Sequence, residues 1–88
     1  MAKTRRHPMY TFHLQKNVHM YNHLLTISDG KTNYQALVES APTREPTILV
    51  WLADFGLPPE EEAAVQAALA RWMAARSVRC VFRPGRGR

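Results

Sequence analysis

An apolar run without interruption, Ile48–Ala53, constrains the fold of this chain more than any other feature. A short run of this kind favours a β-strand that is covered on both faces. Successive side chains of a strand point to opposite sides, which puts Leu49 and Trp51 together on one face of the sheet. The sheet that contains this strand therefore needs apolar cover on both sides.

One helix is available to provide that cover. Pro58 and Pro59, followed by three glutamates, predict its start, because proline is tolerated in a first turn and carboxylates favour the positive end of the helix dipole. Apolar residues then recur at the spacing of one helix face: Val65, Ala68, Leu69, Trp72 and Met73. The pattern predicts a single amphipathic helix that ends near Arg76.

Strands are predicted on both sides of this helix. Tyr10, Phe12 and Leu14 alternate with polar residues, which is the pattern of a half-buried strand. Asp29-Gly30 predicts a hairpin with a type I′ turn, since that turn needs positive φ at both central positions. The predicted strands cover residues 10–15, 21–28, 32–39, 47–53 and 78–83, with 16–20 as either a turn or a bulge and 40–46 as a surface loop.

These elements predict an α+β fold: a single small two-layer domain with the order β-β-β-α-β, in which one long helix packs on one face of a mixed sheet. The strands before and after the helix should run parallel, with a right-handed crossover. A chain of 88 residues is too short for a second core. We expect a flexible basic segment at 1–8, the folded domain at 9–83 and a flexible Arg/Gly tail at 84–88, because neither end has apolar surface to bury.

A single helix covers only one face of such a sheet, and this predicts the function. The other face would keep Leu49, Trp51 and Val81, together with Leu24 or Leu37. Burying a tryptophan and two aliphatic side chains is worth several kcal/mol at ~25 cal/mol per Å², and small monomers rarely expose such a patch. The sequence therefore predicts a non-enzymatic interaction protein, such as an inhibitor or accessory protein. Its partner would be a second copy or another protein, bound through Leu49, Trp51 and Val81.

In the alternative arrangement, the chain covers this face itself. The N-terminal strand, the loop at 42–46 or the residues after Phe82 would then fold over the patch. Within a single chain, Leu49 and Trp51 would be exposed in the first arrangement and buried in the second.

The charge balance favours a different partner, nucleic acid. Twelve Lys and Arg against seven Asp and Glu give a formal net charge of +5 and a pI near 10.0. Cationic tails attract phosphate backbones without reading sequence. In this alternative the contacts would be Lys3, Arg5, Arg6, Arg79, Arg83, Arg86 and Arg88.

The histidines and the cysteine indicate no reaction. His19 and His23 are four residues apart, but along a strand that spacing separates side chains by ~13 Å, too far for a shared metal. A ribonuclease that uses His13 or His23 with an arginine is a third hypothesis, yet general acid–base chemistry needs two groups at one substrate and no such pairing is visible. Cys80, in register with inward residues, is predicted to be buried. We therefore expect no enzymatic activity, no metal, no cofactor and no small-molecule substrate.

Two further expectations concern location and resemblance. No apolar run approaches the ~20 residues of a membrane span and no signal-peptide core follows the start, so we expect a cytoplasmic protein that does not contact membranes. The glutamate-rich helix start and the apolar stripe make residues 48–83 resemble the strand–helix–strand end of small bacterial accessory proteins, among them toxin-immunity proteins and phage-encoded inhibitors. The resemblance covers less than half of the chain and carries over no functional residue.

Overall fold

Five strands form one sheet, in which they lie side by side in the order of the sequence. The computed structural model describes residues 9–85, so the predicted segment 1–8 and residues 86–88 of the predicted tail lie outside the described residues. The elements are β1 (Thr11–His19), β2 (Asn22–Ser28), β3 (Asn33–Ser40), β4 (Thr47–Val50), α1 (Glu62–Ala74) and β5 (Arg79–Phe82). Strands β1 to β4 form an antiparallel meander, and β5 pairs parallel with β4 after the helix returns the chain. The predicted α+β fold with one helix and a mixed sheet is confirmed.

Helix α1 packs on one face of this sheet. Val65, Leu69 and Met73, spaced by four residues, are completely buried. The sheet side of the core is formed by alternate residues of the strands, because only every second side chain points towards the helix. These are Leu25 and Ile27 of β2, Val38 of β3, and Ile48 and Val50 of β4. The predicted apolar stripe of the helix therefore fills the core.

Strand β4 is shorter than predicted. The expected strand over 47–53 ends at Val50, and the chain turns into a 3₁₀ segment, Leu52–Phe55. Residues three apart lie on the same side of a 3₁₀ segment, whereas in a strand they would point to opposite faces. The turn thus brings both Leu52 and Phe55 into the core, where they are 8% and 6% exposed. Burial of these two side chains explains why the strand ends early.

The hairpin between β2 and β3 is confirmed, but its predicted type I′ turn is wrong. The loop contains four residues, 29–32, instead of two central ones. The Asp29 carboxylate accepts hydrogen bonds from the backbone N–H groups of Lys31 and Thr32, each at 2.8 Å, and these bonds lower the pKa of the Asp29 carboxyl. Only Gly30, with φ of 96°, takes up a left-handed conformation in this loop. The aspartate side chain therefore shapes the loop in place of a tight turn.

The segment at 16–20, which the sequence left open as a turn or a bulge, continues β1. The register between β1 and β2 shifts after Gln15, and Asn17 has a φ of 53° at this bulge. Pairing resumes at His19, and the chain reverses at Met20 and Tyr21. The bulge displaces the backbone of β1 next to the end of α1, which opens a groove there.

Truncation of the helix core should test this packing. We expect Leu69→Ala to lower the free energy of unfolding by about 2–5 kcal/mol, because a completely buried leucine leaves a cavity. Urea denaturation followed by circular dichroism measures the loss. Gln66→Ala, an exposed position of the same helix, is the control and should change stability by less than about 0.5 kcal/mol. Equal effects of the two substitutions would contradict the described core.

Candidate functional site

The face of the sheet opposite α1 carries a continuous apolar patch, which we call the apolar sheet face. Leu24 of β2 pairs directly with Leu37 of β3, and Leu49 of β4 pairs with Val81 of β5. Trp51 follows β4 with extended backbone angles (φ −111°, ψ 96°), so it continues the alternation of the strand. The apolar sheet face therefore consists of Leu24, Leu37, Leu49, Trp51 and Val81.

Within residues 9–85, the chain does not bury the apolar sheet face. All five of its side chains are half-buried, and none belongs to the partly buried apolar residues that pack against the core. Helix α1 and the 3₁₀ segment contribute their buried side chains to the other side of the sheet. The structure thus brings together the predicted contact residues Leu49, Trp51 and Val81, and it adds both Leu24 and Leu37.

One end of the apolar sheet face is closed by the loop at 41–46. Thr47, at the start of β4, is 7% exposed, and its hydroxyl donates a hydrogen bond to the Glu45 carbonyl at 3.0 Å. The rim at this end carries opposite charges: Glu39 pairs with Leu49 in the sheet, and the exposed Arg79 pairs with Thr47. The loop expected at 40–46 therefore borders the apolar sheet face without covering it.

A second surface lies on the helix side, between the bulged part of β1 and the C-terminal end of α1. It is a groove of about 680 Å³, which we call the basic groove. Its aromatic residues are Phe12 and Trp72, and the other lining side chains are apolar apart from the charged and polar residues His13, Lys16, Asn17, His23, Ser40, Thr47 and Arg76. Among the described residues that line it, none is an aspartate or a glutamate. The sequence analysis did not predict this groove.

Arg76 is held in place at the rim of the basic groove. Its guanidinium carbon lies 3.8 Å from the centre of the Trp72 ring, and its Nη1 donates to the Trp72 carbonyl at 3.5 Å. The Trp72 ring in turn contacts Phe12, with ring centres 5.5 Å apart and planes inclined by 49°. Cation–π attraction of this kind favours one position of a long side chain. The spacing of Trp72 and Arg76 by four residues is the sequence signal that could have indicated the contact.

His23 forms the polar floor of the basic groove. It is 5% exposed, and its Nδ1 accepts a hydrogen bond from the backbone N–H of Asn17 at 2.8 Å. Its Nε2 lies 2.6 Å from the hydroxyl oxygen of Ser40. Burial lowers the pKa of the His23 imidazole, and the nearby Lys16 charge lowers it further. The folded protein therefore favours neutral His23.

These contacts decide which nitrogen of His23 carries the proton. A backbone N–H can only donate, so Nδ1 is the bare nitrogen and Nε2 carries the hydrogen. Nε2 then donates to the Ser40 hydroxyl oxygen and cannot remove the proton of Ser40. The close serine–histidine pair in this form is a structural hydrogen bond that fixes the bulge of β1.

The other two described histidines and the cysteine make no contact with this pair that shapes it, although His13 also lines the basic groove. His13 is exposed on the sheet face opposite His23, and His19 is exposed near the hairpin tip. No group of three or more His, Cys, Asp and Glu residues suited to a metal occurs within 9–85. Cys80 is half-buried against the core, and burial raises the pKa of its thiol to about 11. His13, His23 and Arg76 all line the basic groove, so the third hypothesis, a ribonuclease that uses His13 or His23 with an arginine, stays untested.

The arginine-rich termini can be compared with the structure only in part. Arg79 and Arg83 are exposed at β5, an edge strand of the sheet. The other predicted nucleic-acid contacts lie outside the described residues: Lys3, Arg5, Arg6, Arg86 and Arg88. In the described part of the chain, no helix has the length and apolar character needed to cross a membrane.

Comparison with protein-family models, with curated proteins and with solved structures gave no match. The two surfaces described above are therefore the basis on which we propose a function.

The buried His23 predicts a pH dependence of stability. Because folding lowers the pKa of His23 from its ordinary value of 6.5, the unfolded chain binds the proton first as the pH falls. The contribution of neutral His23 to the free energy of unfolding is complete above about pH 6.5. It is lost as the pH falls from there through the pKa that His23 has in the folded protein. We expect the urea concentration at the unfolding midpoint to decrease as the pH is lowered from about 7.5 to about 5. His23→Gln should make that decrease smaller.

His13→Gln is the matched control, since His13 is an exposed histidine of the neighbouring strand. It should keep the pH dependence of the unmodified protein. If His13→Gln and His23→Gln gave the same pH profile, the buried imidazole would not be its source.

Proposed function

We propose that this protein is a non-enzymatic interaction protein that forms a homodimer through the apolar sheet face. One observation supports the proposal above all others: the five apolar side chains of this face are contiguous, and residues 9–85 bury none of them fully. Small monomers rarely leave such a patch in water, because its burial yields about 25 cal/mol per Å².

A second copy of the chain fits this face by symmetry. Two sheets pack face to face at a distance of about 10 Å with their strands nearly aligned. A two-fold axis along β4 would place Leu49 and Trp51 of one copy against the same residues of the other. The largest apolar side chain of the face would then lie at the centre of the interface, where binding energy concentrates.

The charges at the rim are complementary under the same axis. Rotation about β4 places β3 of one copy over β5 of the other, because these strands flank β4 on its two sides. Glu39 then faces Val81 of the second copy, two residues from its Arg79 on the same face. An isologous dimer forms such a pair twice, so the rim favours a second copy as the partner.

A charge placed in the apolar sheet face should separate the copies. We expect a mass of about twice 10.1 kDa for the unmodified protein by sedimentation equilibrium, and monomers for Trp51→Asp. Leu49→Asp, at a second position on the proposed axis, should act in the same way. Circular dichroism establishes that each variant is folded.

Thr11→Asp is the matched control: Thr11 is exposed on the same side of the sheet, at the far end of β1, outside the patch. It should leave the dimer intact. A monomeric unmodified protein at concentrations up to about a millimolar, where even weak complexes form, would overturn the proposed dimer.

A further inference from the structure

The basic groove combines two cations with aromatic surface. Lys16 extends from the bulged strand on one wall, and Arg76 lies at the end of α1 on the other. No carboxylate lies among its described lining residues, so nothing in that lining offsets the two charges. A volume of about 680 Å³ lies within the range of pockets that bind small organic ligands. The groove is complementary to an anion that also has an apolar, planar part.

Arg76 is oriented before any ligand arrives. The Trp72 ring covers one face of its guanidinium, so that the other face is not covered by this ring, and Arg76 lines the groove. A guanidinium plane can stack on a base, and its edge can donate to a phosphate. Because the side chain is already ordered by Trp72, less conformational entropy is lost when it binds a ligand.

The helix end beside the groove does not cancel this attraction. The last carbonyls of a helix carry partial negative charge that would repel an anion. In α1 these carbonyls already accept hydrogen bonds: Arg71 from Ala75 at 3.0 Å, and Met73 from both Arg76 and Val78 at 2.9 and 3.0 Å. The end of a helix carries about half of an elementary negative charge, so the two full positive charges of Lys16 and Arg76 exceed it.

The floor adds a polar donor. Ser40 accepts a hydrogen bond from Nε2 of His23, so its own hydroxyl proton can be donated to an oxygen or nitrogen of a ligand. Burial, and to a lesser extent the Lys16 charge, lowers the pKa of His23 and so favours the neutral form in which Ser40 keeps its proton for donation. The floor thus provides a directed donor between the aromatic wall and the cations.

From this combination we propose that the basic groove binds a nucleotide unit. The phosphate lies between Lys16 and Arg76, the base lies against the Arg76–Trp72 stack, and Ser40 donates to a polar atom of the base or sugar. A free mononucleotide and a single strand of RNA present the same unit. This site is distinct from the proposed dimer surface, since it lies on the helix side of the sheet.

Fluorescence of Trp72 reports on the proposed site directly. In the full chain with Trp51→Phe, Trp72 is the sole remaining tryptophan. The probes are uridine monophosphate, an oligouridylate of about eight nucleotides and inorganic phosphate. We expect both nucleotide probes to change the emission, and inorganic phosphate to bind at least about tenfold more weakly because it has no base to stack. Tighter binding of the oligonucleotide identifies the single strand as the source of the unit, whereas equal binding identifies the free nucleotide.

Charge-neutral variants locate the phosphate. Arg76→Gln and Lys16→Gln should each weaken nucleotide binding at least about tenfold, as expected for a lost hydrogen bond to a charged group. For the oligonucleotide, each should also reduce the slope of log K against log salt by about 0.7. Arg71→Gln is the matched control, because Arg71 is exposed on the same helix and does not line the groove.

Three results would overturn the proposal. The first is an equal loss in Arg71→Gln and Arg76→Gln, which would mean that overall positive charge attracts the nucleotide. The second is inorganic phosphate that binds as tightly as the mononucleotide, which would mean an anion site without base contact. The third is nucleotide binding that leaves Trp72 emission and the groove variants unaffected, which would place the contact at the arginine-rich termini.

Discussion

The packing of α1 against one side of the sheet is the interaction on which both candidate surfaces depend. Val65, Leu69 and Met73 take their apolar partners from alternate positions of the strands, so the positions between them must face the other way. In β4 and the residue that follows it, those positions hold Leu49 and Trp51, which become part of the apolar sheet face. The same packing sets the end of α1 beside the bulge of β1, where the basic groove opens. One contact between two layers therefore generates a fully covered face, a face that is covered only in part and a groove at the border.

The bulge of β1 shows how a polar core residue shapes a surface. A bulged strand loses regular pairing, and its backbone groups need other partners. The N–H of Asn17 finds Nδ1 of His23, and His23 is joined to β3 through Ser40. Within the described residues, no buried side-chain nitrogen or oxygen is left without a hydrogen-bond partner. The histidine thus acts as a structural link between three strands, and it sets the tautomer that leaves the serine proton for donation.

Local periodicity predicted the fold, while features that join distant residues were missed. The stripe of α1 and the alternation of β2 and β3 depend on neighbours in the sequence, so spacing was sufficient. The early end of β4 depends on the core position of Phe55, and the loop after β2 depends on the side-chain hydrogen bonds of Asp29. The apolar sheet face was predicted in outline from alternation, but only the register showed that Leu24 and Leu37 both belong to it. Lys16 and Ser40, which meet in the basic groove, come from different strands, and no spacing along the chain could indicate that they converge.

Strand β5, together with the residue just before it, contributes to both surfaces. It is a short edge strand that pairs parallel with β4, and α1 lies between the two strands in the chain. The N–H of Arg79 donates a hydrogen bond to the Pro46 carbonyl at 2.8 Å. Val81 belongs to the apolar sheet face, and Val78, just before the strand, lines the basic groove. Detachment of this one strand would remove a wall from both surfaces at once. A ligand held at either surface would oppose that detachment, and reciprocity would then couple the two surfaces through β5.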